Sequence, residues 1–208
     1  MDELESGLRE IAAIRSMMER ASKFLSLSGL SGISAGVVAL AGAWAADRAI
    51  QGSGSHILLP GEQVSGEAWP GGFLLADAAT VLVLALVCST LFSVRMARKK
   101  GHPLWGPTTV YLLAALALPL AAGGAFCCIL IVHGIYGLIP AAMLVFYGLA
   151  LVSAGNFTFG EIRYLGIIEV LLGLTAGIRP ALGLMLWAGG FGLLHIVYGI
   201  LLYTKYEK

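Results

Sequence analysis

Charged residues are scarce in this sequence, and that scarcity limits the kind of protein it can encode. Asp, Glu, Lys and Arg make up 12% of the 208 residues, whereas hydrophobic residues make up 58%. Soluble domains carry about 25% charged residues. The composition therefore excludes an ordinary water-soluble fold. The net charge of +1 gives no support for a nucleic-acid partner.

Cysteine is also rare, and the few thiols are poorly placed for a disulfide framework. Cys88, Cys127 and Cys128 all lie in apolar stretches, and their number is odd. Two adjacent cysteines are too constrained for an ordinary structural disulfide. We therefore expect buried free thiols.

Motifs for metal and redox chemistry are missing from the sequence. It contains no HExxH, no cluster of histidines and no CxxC pair. The sequence therefore predicts no metal site, no cofactor and no catalytic residue.

One short segment, Gly29-Leu30-Ser31-Gly32, resembles the GxSG motif around the nucleophile of rhomboid intramembrane proteases. Those proteases also have six spans and a histidine in the last one. Here, however, Ser31 lies in the first span rather than the fourth, and the HxxxN element of the second span is missing from 73–94. The sequence favours a protein that is not an enzyme, with an intramembrane hydrolase as the alternative.

Long uncharged stretches are abundant. About 20 apolar residues suffice for a helix to cross a membrane. The sequence predicts an all-α, polytopic six-helix bundle that forms one transmembrane domain over residues 24–208. Its spans are predicted at 24–46, 73–94, 108–132, 138–154, 162–178 and 180–203.

The basic residues are distributed asymmetrically about these spans. Eleven of the 13 Lys and Arg residues fall on one side, and only Arg48 and Arg179 fall on the other. Short loops rich in Lys and Arg stay in the cytoplasm. We therefore expect both termini to be cytoplasmic.

The segment before the first span, residues 1–23, has apolar residues at a helical spacing among charges. It is predicted to be a cytoplasmic amphipathic helix. Such a helix either lies on the membrane surface, with its basic residues near anionic lipid, or packs under the bundle. The sequence leaves both arrangements open.

The first span carries small residues on one face. Ser28, Gly32 and Gly36 repeat every four residues, and small residues at this spacing let a second helix approach closely. We predict a helix-packing face here, used within the bundle or in a homo-oligomer.

Glu169 and His195 interrupt otherwise apolar spans. Ionisable side chains inside spans are costly and usually face the bundle interior or a water-filled cavity. Counted from the cytoplasmic ends, the two residues have similar depths; counted from Arg179, Glu169 is level with Gly189 and Gly190. The pairing is therefore open, and so is the choice between a functional carboxyl and one that ties two helices together. Glu161 and Arg163 complete a predicted polar intramembrane centre.

Four further residues are secondary candidates: Asp77, His133, Arg179 and Tyr198. Asp77 is expected near the outer end of its span, either at the interface or close to Arg48 or Arg179. His133 with Tyr136 echoes His195 with Tyr198, but the two histidines differ in depth by about 20 Å by helical rise. That separation prevents them from ligating one haem in a monomer.

Three segments resemble a family of small, uncharacterised bacterial inner-membrane proteins: MMERASKFLSLSGLSGISAG, EIRYLGIIEVLLGL and GFGLLHIVYGILLYTKYEK. The resemblance spans nearly the whole chain. It implies a six-helix fold in the bacterial inner (cytoplasmic) membrane. It carries no known activity and therefore assigns no functional residue.

Two functional hypotheses follow. The first is permeation or transport of a small solute, ion or proton, with Glu169 and His195 as its polar centre. The second is a non-catalytic accessory, scaffold or sensor subunit of a membrane complex, in which the N-terminal helix and the RMARKK segment bind a partner or anionic lipid. Membrane lipids are expected neighbours in both cases. A transporter requires water access to Glu169, whereas an accessory subunit requires only that Glu169 be hydrogen-bonded.

Overall fold

The computed structural model describes residues 28–53, 70–101 and 105–207. Within these ranges the chain is helical apart from short turns, and no strand is present. The prediction of an all-α protein is confirmed. The amphipathic helix predicted for residues 1–23 lies outside the described residues, as does most of the loop between the first two spans.

The described residues form seven α-helices: α1 Gly29–Gly52, α2 Gly71–Lys100, α3 Pro107–Val132, α4 Ile139–Ala154, α5 Gly160–Ile178, α6 Gly183–Trp187 and α7 His195–Tyr206. A 3₁₀ turn, Tyr136–Leu138, precedes α4, and a second one, Pro180–Leu182, precedes α6. A π-helical segment, Ala188–Leu194, joins α6 to α7, so Pro180–Tyr206 forms one continuous helix that we call the last helix.

The helices fall on the predicted spans, but two of them extend further. α1 continues past residue 46 to Gly52, and α2 continues past residue 94 to Lys100. The basic stretch that follows the second predicted span is therefore part of the same helix. Lys and Arg are good helix formers, and the helix ends only at Gly101, whose φ of 65° is suited to glycine.

Five helices among the described residues are long and apolar enough to cross a membrane: Gly29–Gly52, Gly71–Lys99, Pro107–Val132, Tyr136–Ala154 and Pro180–Tyr206. They are compatible with an integral membrane protein. The remaining long helix, α5, has 19 residues and includes Glu161, Arg163 and Glu169. Its length corresponds to about 28 Å at the usual helical rise, close to the thickness of a hydrocarbon layer.

The helices pack as a row with a dense centre. α1 lies between α2 and the last helix, and α4 lies between α3 and α5. The last helix also contacts α4 and α5, which closes the centre. Only 6% of the apolar stretch of α2 and 11% of that of α3 is buried. These two outer helices therefore bury few of their apolar side chains.

Small residues allow the central helices to approach closely. In α4 and α5, a Cβ added at Gly148 would lie 2.6 Å from the Gly166 carbonyl oxygen, and one added at Gly173 would lie 2.8 Å from the Val145 backbone nitrogen. Such distances are far below van der Waals contact. Glycine at these positions is therefore required for the α4–α5 contact.

Helix ends gather at two opposite ends of the bundle. We call the end that contains Gly52 and Gly71 the first-loop end, and the end that contains Gly29 and Tyr206 the terminal end. At the terminal end the Glu207 carboxylate accepts the Gly29 backbone N–H, and the Ser28 hydroxyl lies 3.4 Å from its second oxygen. The last turn of the chain therefore caps α1.

Candidate functional site

Glu169 lies at the centre of the buried face of α5. This face has the spacing of an amphipathic helix and consists of Ile162, Leu165, Gly166, Glu169, Gly173 and Ala176. The Glu169 side chain is 0% exposed. Neither of its carboxyl oxygens has a hydrogen-bond partner in the described part of the chain. A buried carboxyl in this condition is energetically costly.

His195 is the first residue of α7, and its ring points back along the last helix. Nδ1 lies 2.9 Å from the Gly190 carbonyl oxygen and 3.6 Å from Oε1 of Glu169. The second distance is too long for a hydrogen bond. Because a carbonyl oxygen only accepts, Nδ1 carries a hydrogen, and in the neutral ring Nε2 is then the acceptor. The structure therefore brings Glu169 and His195 together without a direct hydrogen bond.

Tyr147 on α4 completes the group, although nothing in the sequence pointed to it. Its hydroxyl lies 2.8 Å from Nε2 of His195. With Nδ1 protonated, the Tyr147 hydroxyl donates to the neutral ring and accepts from the charged one. Among seven tyrosines, no spacing or motif distinguishes this residue. Only the packing of α4 against the last helix places it at the site.

The π-helical segment shapes the space around the carboxyl. A Cβ added at Gly190 would lie 2.6 Å from a Leu144 methyl group and 3.1 Å from the Glu169 carboxyl carbon. Only glycine therefore leaves room for Glu169 at this position. Single π turns inside α-helices occur frequently at functional sites. Here the segment places a glycine and its carbonyl between the two ionisable side chains.

An aromatic row extends from this group towards the first-loop end. The Phe191 ring lies 5.9 Å from the His195 ring, 4.8 Å from the Tyr147 ring and 5.1 Å from the Trp187 ring, measured between centroids. Trp187 is buried, and its indole N–H has no partner among the residues that the structure describes. The row connects the polar group to the wall of a pocket.

This pocket, which we call the first-loop pocket, has a volume of about 430 Å³. It lies between α1, α2, the start of α4 and the start of the last helix, and apolar side chains form most of its wall. Asp77, Tyr136 and Trp187 are among its lining residues. Pockets of about 300–1,000 Å³ are typical of small-molecule sites.

The predicted four-residue polar centre is divided into two groups. Glu161 lies at the terminal end, where its Oε1 is 2.5 Å from Nζ of Lys205 and 2.9 Å from the Tyr206 hydroxyl. Arg163 is exposed on α5. Glu161 and Glu169 are eight positions apart, which corresponds to about 12 Å of helix. The expectation that Glu161 and Arg163 join Glu169 and His195 is therefore corrected.

The secondary candidates lie apart from the polar group. Asp77 is half-buried beside Gly42, and among the described residues it forms no ion pair with Arg48 or Arg179. Arg48 instead lies 5.5 Å from the centre of the Trp44 ring. His133 and Arg179 are exposed at helix ends, and Tyr198 packs against the Leu165 cluster near the terminal end.

The predicted packing face of α1 contacts the last helix. A Cβ on Gly32 would lie 3.1 Å from the His195 carbonyl oxygen, and one on Gly36 would lie 2.7 Å from the Ile196 side chain. Ser28 instead acts as the N-cap of α1 and accepts the Leu30 N–H at 3.3 Å. Gly29, which was not predicted to belong to this face, also lies against the last helix, next to Gly199 and Tyr203.

Two further expectations concern Ser31 and the thiols. The Ser31 hydroxyl donates to the Ser28 carbonyl at 2.5 Å, and both ring nitrogens of His195 lie against other groups, so no Ser–His pair is formed. All three cysteines are free, but none is fully buried as expected: Cys88 and Cys127 are half-buried, and Cys128 is exposed on α3. Among the described residues no three His, Cys, Asp or Glu side chains are grouped as a metal site would require.

Comparison of the chain with known protein families, with curated proteins and with solved structures gave no match.

Proposed function

We propose that this protein is a proton-coupled membrane transporter in which Glu169 and His195 exchange a proton inside the bundle. The observation that carries the proposal is the fully buried Glu169 carboxyl, without a hydrogen bond in the described chain and 3.6 Å from Nδ1 of His195. Ionisable residues inside membrane spans are functional by default.

The missing hydrogen bonds argue against a carboxyl whose role is to tie helices together. A structural tie depends on hydrogen bonds, and a buried polar group left without them destabilises the fold by about 1–3 kcal/mol. Glu169 has this cost without the compensating bonds. Gain and loss of a proton by this carboxyl would explain why a costly Glu is present at such a position.

A single proton changes the charge of the pair. When Glu169 is protonated and His195 is neutral, or when Glu169 is ionised and His195 is charged, the pair carries no net charge. Loss of one proton leaves a net charge of −1 in a low-dielectric interior, where charge is costly. Proton release is therefore favoured when a cation approaches, which is the basis for coupling.

In a transporter of this kind, the arrangement would correspond to an occluded state. On the first-loop side, Leu144 and the Trp187–Phe191 row lie between the pocket and the carboxyl. On the terminal side, a cluster that includes Leu151, Leu165 and Leu202 closes the bundle. Transport requires these two barriers to open in turn. The π-helical segment, with Gly189, Gly190 and Gly192, is the position where the last helix bends most easily.

The orientation belongs to the same proposal: six spans in a bacterial inner membrane, with both termini in the cytoplasm. The first-loop end, which has Arg48 and Arg179, would face outward. The terminal end has Arg95, Arg98, Lys99, Arg163 and Lys205 among its described residues, as the retention of basic loops in the cytoplasm requires.

Proton flux into liposomes tests the proposal. Purified protein is reconstituted with a pH-sensitive dye inside, and a pH gradient is applied while valinomycin and K⁺ hold the membrane potential at zero. The wild-type protein is expected to acidify the interior, and Glu169→Gln, which keeps shape but cannot titrate, is expected to fall to the level of protein-free liposomes. Glu161→Gln removes the same charge at the terminal end and should retain the flux.

Wild-type protein that moves no protons over a broad pH range would overturn this function. The accessory-subunit hypothesis would then replace it. One observation favours that second candidate: α2 and α3 each have one main neighbour, and only a small share of their apolar stretches is buried. Helices of a partner subunit could cover these faces as readily as lipid does.

A further inference from the structure

We propose that the first-loop pocket binds an organic ammonium cation with an apolar body. The pocket has a volume of about 430 Å³, enough for a small molecule, and a wall built mainly from Ala, Ile, Leu, Gly and Pro residues. An apolar wall selects an apolar body. The few polar groups in the wall determine which ligand charge the pocket favours.

Asp77 is the one charged residue that lines the pocket among the residues described. It forms no hydrogen bond or ion pair in the described chain. The basic residue Arg48, on the neighbouring helix α1, lies over Trp44 instead of reaching it. A carboxylate in an apolar wall without a counter-charge is costly, and a bound cation removes that cost.

Aromatic side chains provide the second contact for a cation. Trp187 and Tyr136 line the same pocket as Asp77. The face of a Trp or Tyr ring attracts an ammonium group, and it does so more strongly when the site is desolvated. An anionic ligand would face the Asp77 carboxylate and these rings, and no basic residue lines the wall in the described part of the chain. A cation is therefore the ligand that matches the pocket.

The pocket adjoins the proton site. Trp187 lies in its wall, and Gly190, which borders the Glu169 carboxyl, follows three residues later in the last helix. Binding of the cation is independent of the function proposed above. Only the step in which the bound cation favours proton release from the Glu169–His195 pair rests on that function.

The test compares two probes of nearly the same shape. Benzyltrimethylammonium carries a positive charge, and neopentylbenzene has a carbon atom in place of the nitrogen. Each is titrated against the protein in phosphatidylcholine nanodiscs by equilibrium dialysis, with empty nanodiscs as the blank. We expect saturable binding of the cation to wild-type protein, with weaker binding of the neutral compound.

Asp77→Asn should weaken binding of the cation about tenfold, the effect of losing one nearby opposite charge, and leave the neutral compound unchanged. Asp47→Asn is the matched control. Asp47 also lies near the first-loop end, but it accepts from Gln51 and does not line the pocket. This control variant should bind both probes as the wild type does.

A second variant covers the case in which Asp77→Asn does not fold. Ala78→Leu adds volume to the pocket wall and should weaken both probes, because it fills the space. Equal binding of cation and neutral compound, or cation binding that neither variant changes, would overturn the proposal. The proposal would also be overturned by a tightly held phospholipid that benzyltrimethylammonium does not displace but that is lost from the Ala78→Leu variant. Cation binding that survives in Glu169→Gln would support the pocket even if the proton flux is absent.

Discussion

At the scale of single residues, three side chains from three helices create one polar group in an apolar bundle. Glu169 comes from α5, His195 from the last helix and Tyr147 from α4. The imidazole links the other two: Nδ1 points towards Gly190 and Glu169, and Nε2 towards Tyr147. A change in the charge of the ring therefore reverses the direction of the hydrogen bond to Tyr147.

Tyr147→Phe removes the hydroxyl and keeps the ring that packs against Phe191. The free energy of unfolding should fall by about 1 kcal/mol, as for other buried hydrogen bonds between membrane helices. The pH at which proton flux is half-maximal should also shift, because Nε2 loses its partner. Thermal unfolding and the pH profile of flux measure the two effects. A stability loss without any shift in the profile would show that Tyr147 only supports packing.

The sequence pointed to Glu169 and His195 because charges stand out in apolar spans. It could not decide whether the partner of Glu169 was His195 or Gly190, and the structure shows why both counts of depth were partly right. Helical side chains tilt towards the N-terminus, so the His195 ring reaches back to Gly190, which itself borders Glu169. A count of depth that assumes the uniform rise of an α-helix cannot allow for the π-helical segment, which contains Gly190 and ends just before His195.

At the scale of elements, glycines determine which helices meet. Gly32 and Gly36 of α1 contact the last helix, and Gly148, Gly166 and Gly173 join α4 to α5. The four-residue spacing in α1 was visible in the sequence, but the identity of the neighbouring helix was not. The same spacing would suit another helix of the bundle or a second copy of the chain, and only the three-dimensional packing distinguishes these cases.

Gly36→Leu tests this contact. The added side chain would overlap the Gly192 carbonyl and Ile196, so the free energy of unfolding should fall by about 1–3 kcal/mol, the usual cost of overpacking. Gly124→Leu is the matched control, because a Cβ on Gly124 meets nothing within 4 Å. Thermal unfolding in detergent compares the two. Equal midpoints for the two variants would contradict the assigned α1 contact.

At the scale of the whole molecule, exposure distinguishes the centre of the row from its edges. The outer helices α2 and α3 bury little, whereas the last helix, α4 and α5 surround the buried polar group. Apolar helices with this much exposed surface are suited to a lipid environment. The all-helical class follows from composition and long apolar runs, whereas the arrangement in a row depends on contacts that no single helix specifies.

The proposed orientation predicts which end of the bundle reacts from which side. In a variant with the three native cysteines replaced by alanine, Gln51→Cys should react with a membrane-impermeant maleimide added to intact cells. Thr204→Cys, which is exposed near the terminal end, should react only after the cells are opened. The opposite pattern would reverse the orientation and place the first-loop pocket on the cytoplasmic side.

The central claim is that Glu169 gains and loses a proton inside the bundle, and infrared difference spectroscopy of the protein in lipid tests it most directly. A protonated carboxyl has a C=O stretch that disappears on ionisation. Spectra of the wild-type protein across a pH titration should contain such a band, absent from Glu169→Gln and present in Glu161→Gln. His195→Asn should shift its midpoint, because the charge of a neighbouring group affects the ionisation of a carboxyl. Wild-type and Glu169→Gln spectra that are identical at every pH would contradict the account.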